Sequence, residues 1–328
     1  MKNPKMVKKI SYNPVVSIII PFHWGLKKEN FARFLSDFKY FLNLDYENYE
    51  IILVSDVKAK LPFKSSKIKL LKVPHKTASP SEKRDYALKF AKGQICAFID
   101  DDAYPHKNWI KNAVKHFKNK NIIAVGGPGI TPSDDSFWQR IGGYILESYL
   151  CSGQTQHRFY DKPKKTFYVN DYPAYNLFIR KDILKKVGGF ASKFYGGEDT
   201  FLCIRLIKFG KILYDSDVLA YHHRRSFPIP HLKQISNVGL HRGYFFKKYP
   251  ENSRHPFYTL PSILAIGFLI FLSLSFFSKN IFLIFLFFNL LFILLGTISV
   301  KTHGVSMVPS IIAGFGIIAT HLTYGIFL

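Results

Sequence analysis

The chain has 328 residues, 48% of them hydrophobic, and carries 46 Lys and Arg against 22 Asp and Glu, a formal charge of +24. Its three cysteines, Cys96, Cys151 and Cys203, lack the spacing of a paired zinc site and suit a reducing compartment. The basic excess comes without zinc-finger spacing, a recognition helix or an aromatic RNA-binding motif, which sets nucleic acid aside and favours an anionic membrane surface as partner.

The first ten residues are Lys-rich, but the apolar run Val15 to Ile20 behind them is too short for the core of a signal peptide. The expectation is a catalytic part that stays in the cytoplasm. That run, closed by Pro21, and Ile51 to Ser55 are continuous and apolar, as strands buried on both faces are. Between them, Lys28 to Asn43 has helical spacing, with Phe31, Phe34, Leu35, Phe38, Phe41 and Leu42 on one side. Ile68 to Val73 reads as a third strand. Ser79-Pro80-Ser81-Glu82 is a capping box with Pro at the first helical position, and Gly93 is the expected helix stop. A strand Ile95 to Ile99, a helix Asn108 to Phe117 and a strand Ile122 to Gly126 follow. This alternation specifies a mostly parallel, doubly wound α/β sheet.

From Ile130 to about Pro173 the pattern reads as one long irregular region, of the kind that carries function. Helices are expected at Asp182 to Val187 and Glu198 to Phe209, then a strand Lys211 to Tyr214 and an extended stretch Val218 to Arg225. Leu232 to Lys248 mixes Lys233, His241, Arg242, Lys247 and Lys248 with Leu240, Tyr244, Phe245 and Phe246, as an interfacial helix does. Beyond Phe257 there is no acid, and the only Lys or Arg residues are Lys279 and Lys301. Phe257 to Phe277, Ile281 to Val300 and Val305 to Leu328 are each long enough to span a hydrocarbon core of about 30 Å. Asn289, His321 and Pro309 inside them imply helix-on-helix packing.

Against this basic background, Phe98-Ile99-Asp100-Asp101-Asp102 stands out. Three carboxylates at the carboxyl end of a buried strand raise one another's pKa unless a cation joins them, and that end is where open α/β sheets bind ligands. Glu198 and Asp199, after Gly196 and Gly197, open a helix, where the dipole favours acids whatever their function.

Four motifs then occur in an order that resembles family 2 glycosyltransferases. They are Val16-Ser17-Ile18-Ile19-Ile20-Pro21; Glu82-Lys83-Arg84-Asp85 with Ala91-Lys92-Gly93-Gln94; the Asp100 to Asp102 run; and Val187-Gly188-Gly189-Phe190 with Gly196-Gly197-Glu198-Asp199. The resemblance covers roughly residues 14 to 245. It implies a GT-A-like, nucleotide-sugar-binding doubly wound mixed sheet, here followed by an α-helical transmembrane segment, and inversion at the anomeric carbon. It implies Asp102 as a direct ligand of a divalent metal, Mn or Mg, with Asp100 nearer the ribose and Asp101 in either role. Asp199 becomes the general base for the acceptor hydroxyl, and Glu198 orients or binds the acceptor. Gly197, with Gly196, permits close approach of the acceptor sugar. Pro21, Phe22 and His23 line the nucleotide pocket, and Asp56 meets the base, although the Asp-Gly-Ser continuation is replaced by Val57-Lys58-Ala59. Arg84 pairs with diphosphate or with a structural partner. His222 joins the metal or diphosphate, and Asn176 touches the sugar.

The expected organisation is a cytoplasmic glycosyltransferase domain over residues 1–230, an interfacial basic and aromatic helix over 231–255, and a membrane domain of about three helices over 256–328. The expected activity is single-sugar transfer from a nucleotide-diphosphate sugar to a membrane-associated, lipid-linked glycan or polyprenol acceptor. A processive polysaccharide synthase would carry a Gln-x-x-Arg-Trp motif, which is missing. A non-catalytic membrane scaffold would not need Asp100, Asp102, Glu198 and Asp199 intact. The partners are then the sugar donor, the acceptor and the bilayer, at the cell membrane in a multi-pass arrangement.

Overall fold

The computed structural model of the chain describes residues 12–22, 28–58, 60–62, 65–74, 78–191 and 196–328. The first half of the sheet domain runs β1 (Val16–Phe22), α1 (Lys28–Leu42), β2 (Tyr49–Ser55), β3 (Ile68–Lys72), α2 (Pro80–Leu88), β4 (Ile95–Phe98), β5 (Ala103–Pro105), α3 (Trp109–Val114) and β6 (Ile122–Gly126). The second half runs β7 (Gly129–Ile130), α4 (Phe137–Glu147), α5 (Tyr149–Ser152), β8 (Thr166–Val169), β9 (Leu177–Arg180), α6 (Lys181–Lys186), α7 (Glu198–Leu206), β10 (Lys211–Asp215) and β11 (Ala220–His222). Five helices complete the chain: α8 (Ile229–Lys248), α9 (Pro250–Ser253), α10 (Pro256–Ser275), α11 (Lys279–Lys301) and α12 (Met307–Phe327).

The main sheet has the order β3-β2-β1-β4-β9-β6-β10-β8. It is mixed: β9 runs antiparallel to both β4 and β6, and β8 antiparallel to β10, while the other pairs are parallel. Chain direction across the sheet switches between β1 and β4, and the crevice beyond their carboxyl ends is where such sheets take ligands. β1 and β4 are buried along their whole length, as their unbroken apolar runs require. Phe34, Phe38 and Phe41 of α1 pack on one face, while Leu42, expected on the same face, is 39% exposed. Ala87, Leu88, Phe190, Leu202 and Leu206 cover the other.

A second, three-stranded sheet, β5-β11-β7, stands beside the crevice. Its register places His222 opposite Ala103, so that β11 delivers a histidine next to the acid turn.

Two expectations need correction. Gly93 does not stop α2, which ends at Leu88; it lets the chain approach β1, where a Cβ would lie 2.5 Å from the Ser17 amide nitrogen. The region from Ile130 to Pro173 is not irregular throughout, since it contains α4. A capping box joins Ser136 and Gln139, and Ile141 and Ile145 are fully buried one turn apart.

α10, α11 and α12 are each long and apolar enough to cross a membrane. Only α12 is substantially covered: 33% of its apolar window is buried, against 6% and 11% for the other two. Its Ala313 and Ile317 pack with Ile141, Ile145, Val300 and Val305, and Gly239 and Gly243 of α8 let Tyr324, Phe327 and Leu328 come close. α12 is therefore the helix on which the apolar layer is mounted.

Candidate active site

The capping box at Ser79 and Glu82 fixes the start of α2, and one turn later Arg84 points beneath the crevice, 3% exposed. Its Nη2 donates to Asp100 Oδ1 at 2.6 Å, and its Nη1 lies 3.4 Å from Glu198 Oε1 and 4.0 Å from Asp199 Oδ1. The guanidinium thus brackets the carboxyl end of β4 to the amino end of α7, joining motifs about a hundred residues apart. The Phe190 ring lies against it, 5.0 Å from the guanidinium carbon.

Helix α7 starts from Gly196 and Gly197, with φ of +97° and +73°, a left-handed conformation that side chains resist. Glu198 turns one oxygen back to accept the Gly196 N–H at 2.8 Å. Asp199, half-buried beside it, carries an Oδ1 that is enclosed and accepts no hydrogen bond. Burial first, then the neighbouring Glu198, push its carboxyl up to about 8, against the pull of Arg84. A carboxylate that titrates near neutral pH and has an uncommitted oxygen can take a proton from a hydroxyl.

Asp102 leaves the same turn in another direction. Its Oδ1 lies 3.2 Å from His222 Nε2 and its Oδ2 3.1 Å from Arg225 Nη2. Burial works to raise its pKa, but His222 and then Arg225 hold it well below the usual carboxylate range. Arg224 Nη1 lies 3.2 Å from His222 Nδ1, on the side of the ring away from Asp102. His223 points the other way, buried between Asp135 and Asp37 of α1 at 2.5 and 2.9 Å. Burial would lower its pKa, yet the two carboxylates push it up to about 9.

The residues present fit a divalent cation in one respect. Asp102 is an ionised, partly open carboxylate, and a hard cation often takes only one or two carboxylates from protein and the rest from phosphate and water. Asp100, two residues earlier, has its Oδ1 engaged by Arg84. Among the described residues no group of three or more His, Cys, Asp or Glu is arranged to hold a metal.

Other expected site residues have various placements. Asn176 is fully buried, accepting from Trp109 Nε1 at 2.8 Å and donating to the carbonyls of Gly127, Pro128 and Val218; it braces the core and is not presented to a sugar. Asp56 ends β2 buried, 3.4 Å from Lys83 Nζ. Lys83 also donates to the Phe22 carbonyl at 2.9 Å, while the Phe22 ring packs into the core against Phe34. Pro21 is buried at the end of β1, and His23 lies outside the described residues. Asp101 is half-buried at the tip of its turn.

Several residues at the site had no role assigned from sequence. Asp85 accepts the backbone N–H of Phe190 and Ala191 at 2.7 and 2.9 Å, tying the Gly188-Gly189 turn to α2. His241 and Phe245, one turn apart on α8, lie over Gly196 and Gly197. Their spacing of four was the available signal, but nothing local says which loop they cover.

A mixed sheet with an acid turn at its switch point and a second acid pair beside it is the arrangement of a GT-A-like fold. Residues 17–188 match the model of glycosyl transferase family 2, and the chain belongs to that family. It is 27% identical over 202 residues to the pre-mycofactocin glycosyltransferase of Mycobacterium tuberculosis, covering 61% of this chain and 40% of that protein. It is 27% identical over 145 residues to glycosyltransferase AglE of Haloferax volcanii, covering 44% of each. The chain thus matches less than half the length of these curated relatives. Among solved structures, it is similar to the mannosyltransferase PcManGT from Pyrobaculum calidifontis in complex with GDP-Man and Mn2+, with a TM-score of 0.48, 15% identity and coverage of 72% of this chain and 65% of that one.

Proposed function

We propose that the chain is an inverting, metal-dependent glycosyltransferase that moves one sugar from a nucleotide-diphosphate donor to a membrane-associated, lipid-linked acceptor. The observation that carries this reading is the Arg84 bracket, which brings Asp100 and the Glu198–Asp199 pair to one crevice. The donor lies across the carboxyl ends of β1 and β4, with its diphosphate toward Asp102 and Arg225. Asp102 would hold the Mn or Mg ion, with His222 supporting its carboxylate, and the bound ion would supply neutralisation of the charge that develops on the departing diphosphate. Asp199 accepts the proton of the acceptor hydroxyl as that oxygen attacks the anomeric carbon from the face opposite the diphosphate. Glu198, accepting the Gly196 N–H, fixes the turn that leads into Asp199, which His241 and Phe245 cover. α10 to α12 anchor the enzyme in the membrane, with α8 at the interface and the sheet domain over residues 1–230 on the cytoplasmic side.

Measuring nucleotide-diphosphate release in membranes from a panel of sugar donors, with and without chelator, tests the proposal. One donor should give release that chelation abolishes and Mn or Mg restores. Release that survives chelation contradicts the metal assignment, and no release from any donor contradicts the transferase reading of this acid set.

A further inference from the structure

One cationic group near the site takes no part in the chemistry above. Arg158, the last residue of the 3-10 helix Gly153–Arg158 after α5, and Arg242 of α8 both face Asp171, at 3.5 and 3.6 Å from the same carboxylate oxygen. Those distances exceed the 2.7–2.9 Å typical of strong charge-assisted bonds. Thr200 donates to that oxygen as well, at 3.3 Å. Arg158 Nη2 also donates to the Asp171 carbonyl at 2.9 Å, but two guanidinium groups share one carboxylate, leaving a net positive charge in a place where the arginines are only 16% and 13% exposed. Nε of Arg158 and Nη1 of Arg242 are enclosed without a hydrogen-bond partner. Such an arrangement is unfavourable until an anion joins it.

The location narrows the anion. Thr200 follows Asp199 directly, so the pair lies beside the proposed base. On its other side the Arg242 guanidinium stacks 4.2 Å from the Tyr258 ring, at the start of α10, and interacts with Tyr324 near the end of α12. One to two turns further along these two helices, a cleft of about 460 Å³ opens between α10, α11 and α12. Leu264, Gly267 and Phe268 of α10, Phe285 of α11 and Leu322 of α12 line it, and a Cβ added at Gly267 would meet nothing within 4 Å. Its two polar residues are already engaged, Asn289 with the Phe285 carbonyl and His321 with the Leu150 carbonyl. A cationic end beside the base and an apolar cleft thus stand one to two turns apart along α10 and α12, with the close contact of Pro261 and Ser262 on Gly325 between them.

We propose that Arg158 and Arg242 bind the phosphate of an amphiphilic acceptor whose hydrocarbon chain occupies the α10–α11–α12 cleft. This rests on the reading of the acceptor as a membrane lipid and names its head group and its seat. A head group held there presents the sugar-accepting oxygen to Asp199, while the chain stays among the apolar helices.

The test uses the full chain in phosphatidylcholine nanodiscs, titrated with farnesyl phosphate, farnesol, inorganic phosphate and phosphatidylglycerol. Farnesyl phosphate should bind at least ~10-fold more tightly than each of the other three, the equivalent of ~1.4 kcal/mol. Arg242→Gln and Arg158→Gln should each weaken it by ~10-fold or more, with Arg242→Lys retaining part of the affinity. Gly267→Phe, which fills open space, should weaken farnesyl phosphate without lowering the melting temperature, and it carries the test if an arginine variant fails to fold. Equal affinity for farnesol refutes the phosphate subsite. Equal affinity for inorganic phosphate refutes the chain subsite. Equal affinity for phosphatidylglycerol shows an ordinary headgroup contact and refutes the acceptor assignment. Donor turnover by the wild type, followed in parallel, separates the two levels: turnover without farnesyl phosphate binding overturns this inference alone, whereas loss of both overturns the functional reading as well.

Discussion

Asp100 and Asp102 leave one turn two residues apart and meet different partners. Asp100 shares one buried guanidinium with Glu198 and Asp199, and there burial first, then Glu198, push Asp199 up to about 8 against the pull of Arg84. Asp102 faces the small sheet, where His222 and Arg225 serve one carboxylate and hold it ionised. Carboxylates whose surroundings drive their pKa values apart are suited to different tasks, proton acceptance on one side and persistent negative charge on the other. Burial works to raise both pKa values, so the contrast comes from the groups beside each acid, Glu198 and Asp100 beside Asp199 and His222 and Arg225 beside Asp102.

That contrast can be broken from either side. Replacing Arg84 with Met should have the largest effect, because it leaves Asp100, Glu198 and Asp199 facing one another without a cation. A loss of about 3–5 kcal/mol in unfolding free energy is expected, read by chemical denaturation. A loss below about 1 kcal/mol would show that the bracket is not what holds the two motifs together. Asp102→Asn should preserve the melting temperature to within a few degrees and lower turnover by about 100-fold or more, with the residual rate insensitive to Mn or Mg. Unchanged metal dependence in this variant would move the metal elsewhere. The smallest effect is expected at His223, which carries no chemistry but ties β11 to α1 through Asp37 and Asp135. Its folded-state pKa of about 9 lies above its ordinary 6.5, so its contribution is complete below about pH 6.5 and is lost as pH rises through about 9. His223→Gln should therefore cost about 2 kcal/mol at pH 6 and much less at pH 10, in melts across that range. A pH-independent difference would contradict the paired imidazolium.

Periodicity made the alternating elements legible because β1, β2, β4 and β6 are buried on both faces and their apolar runs are uninterrupted. Apolar length similarly marked α10 to α12. The acids of the site were legible for a different reason, being rare charges at strand and helix ends in a basic chain. What the sequence left open depends on contacts distant in the chain. Asn176 reads as a polar residue near a sugar site, but Trp109, 67 residues away, claims its oxygen and three carbonyls claim its amide. Asp56 shows no sign in its own neighbourhood that Lys83 lies below it. Arg84 left two partners open because an α2 guanidinium could reach diphosphate or protein, and only the fold brings Glu198 to it. Arg158 and Arg242 were lost among 46 basic residues; burial separates them from the solvated majority. α4 is the exception, since Ser136, Gln139, Ile141 and Ile145 carried a readable local signal.

The central claim is that Asp199 accepts the acceptor proton and that its surroundings tune it for this. The direct measurement is the single-turnover transfer rate from pH 6 to 9.5 for the wild type and Asp199→Asn, with donor binding followed in parallel. The wild-type rate should rise as Asp199 ionises, with a midpoint near pH 8, while Asp199→Asn should bind donor normally, lose about 10²–10⁴-fold in rate and show no such rise. A variant that transfers sugar at the wild-type rate, or that keeps the wild-type rise with pH, would show that Asp199 is not the base.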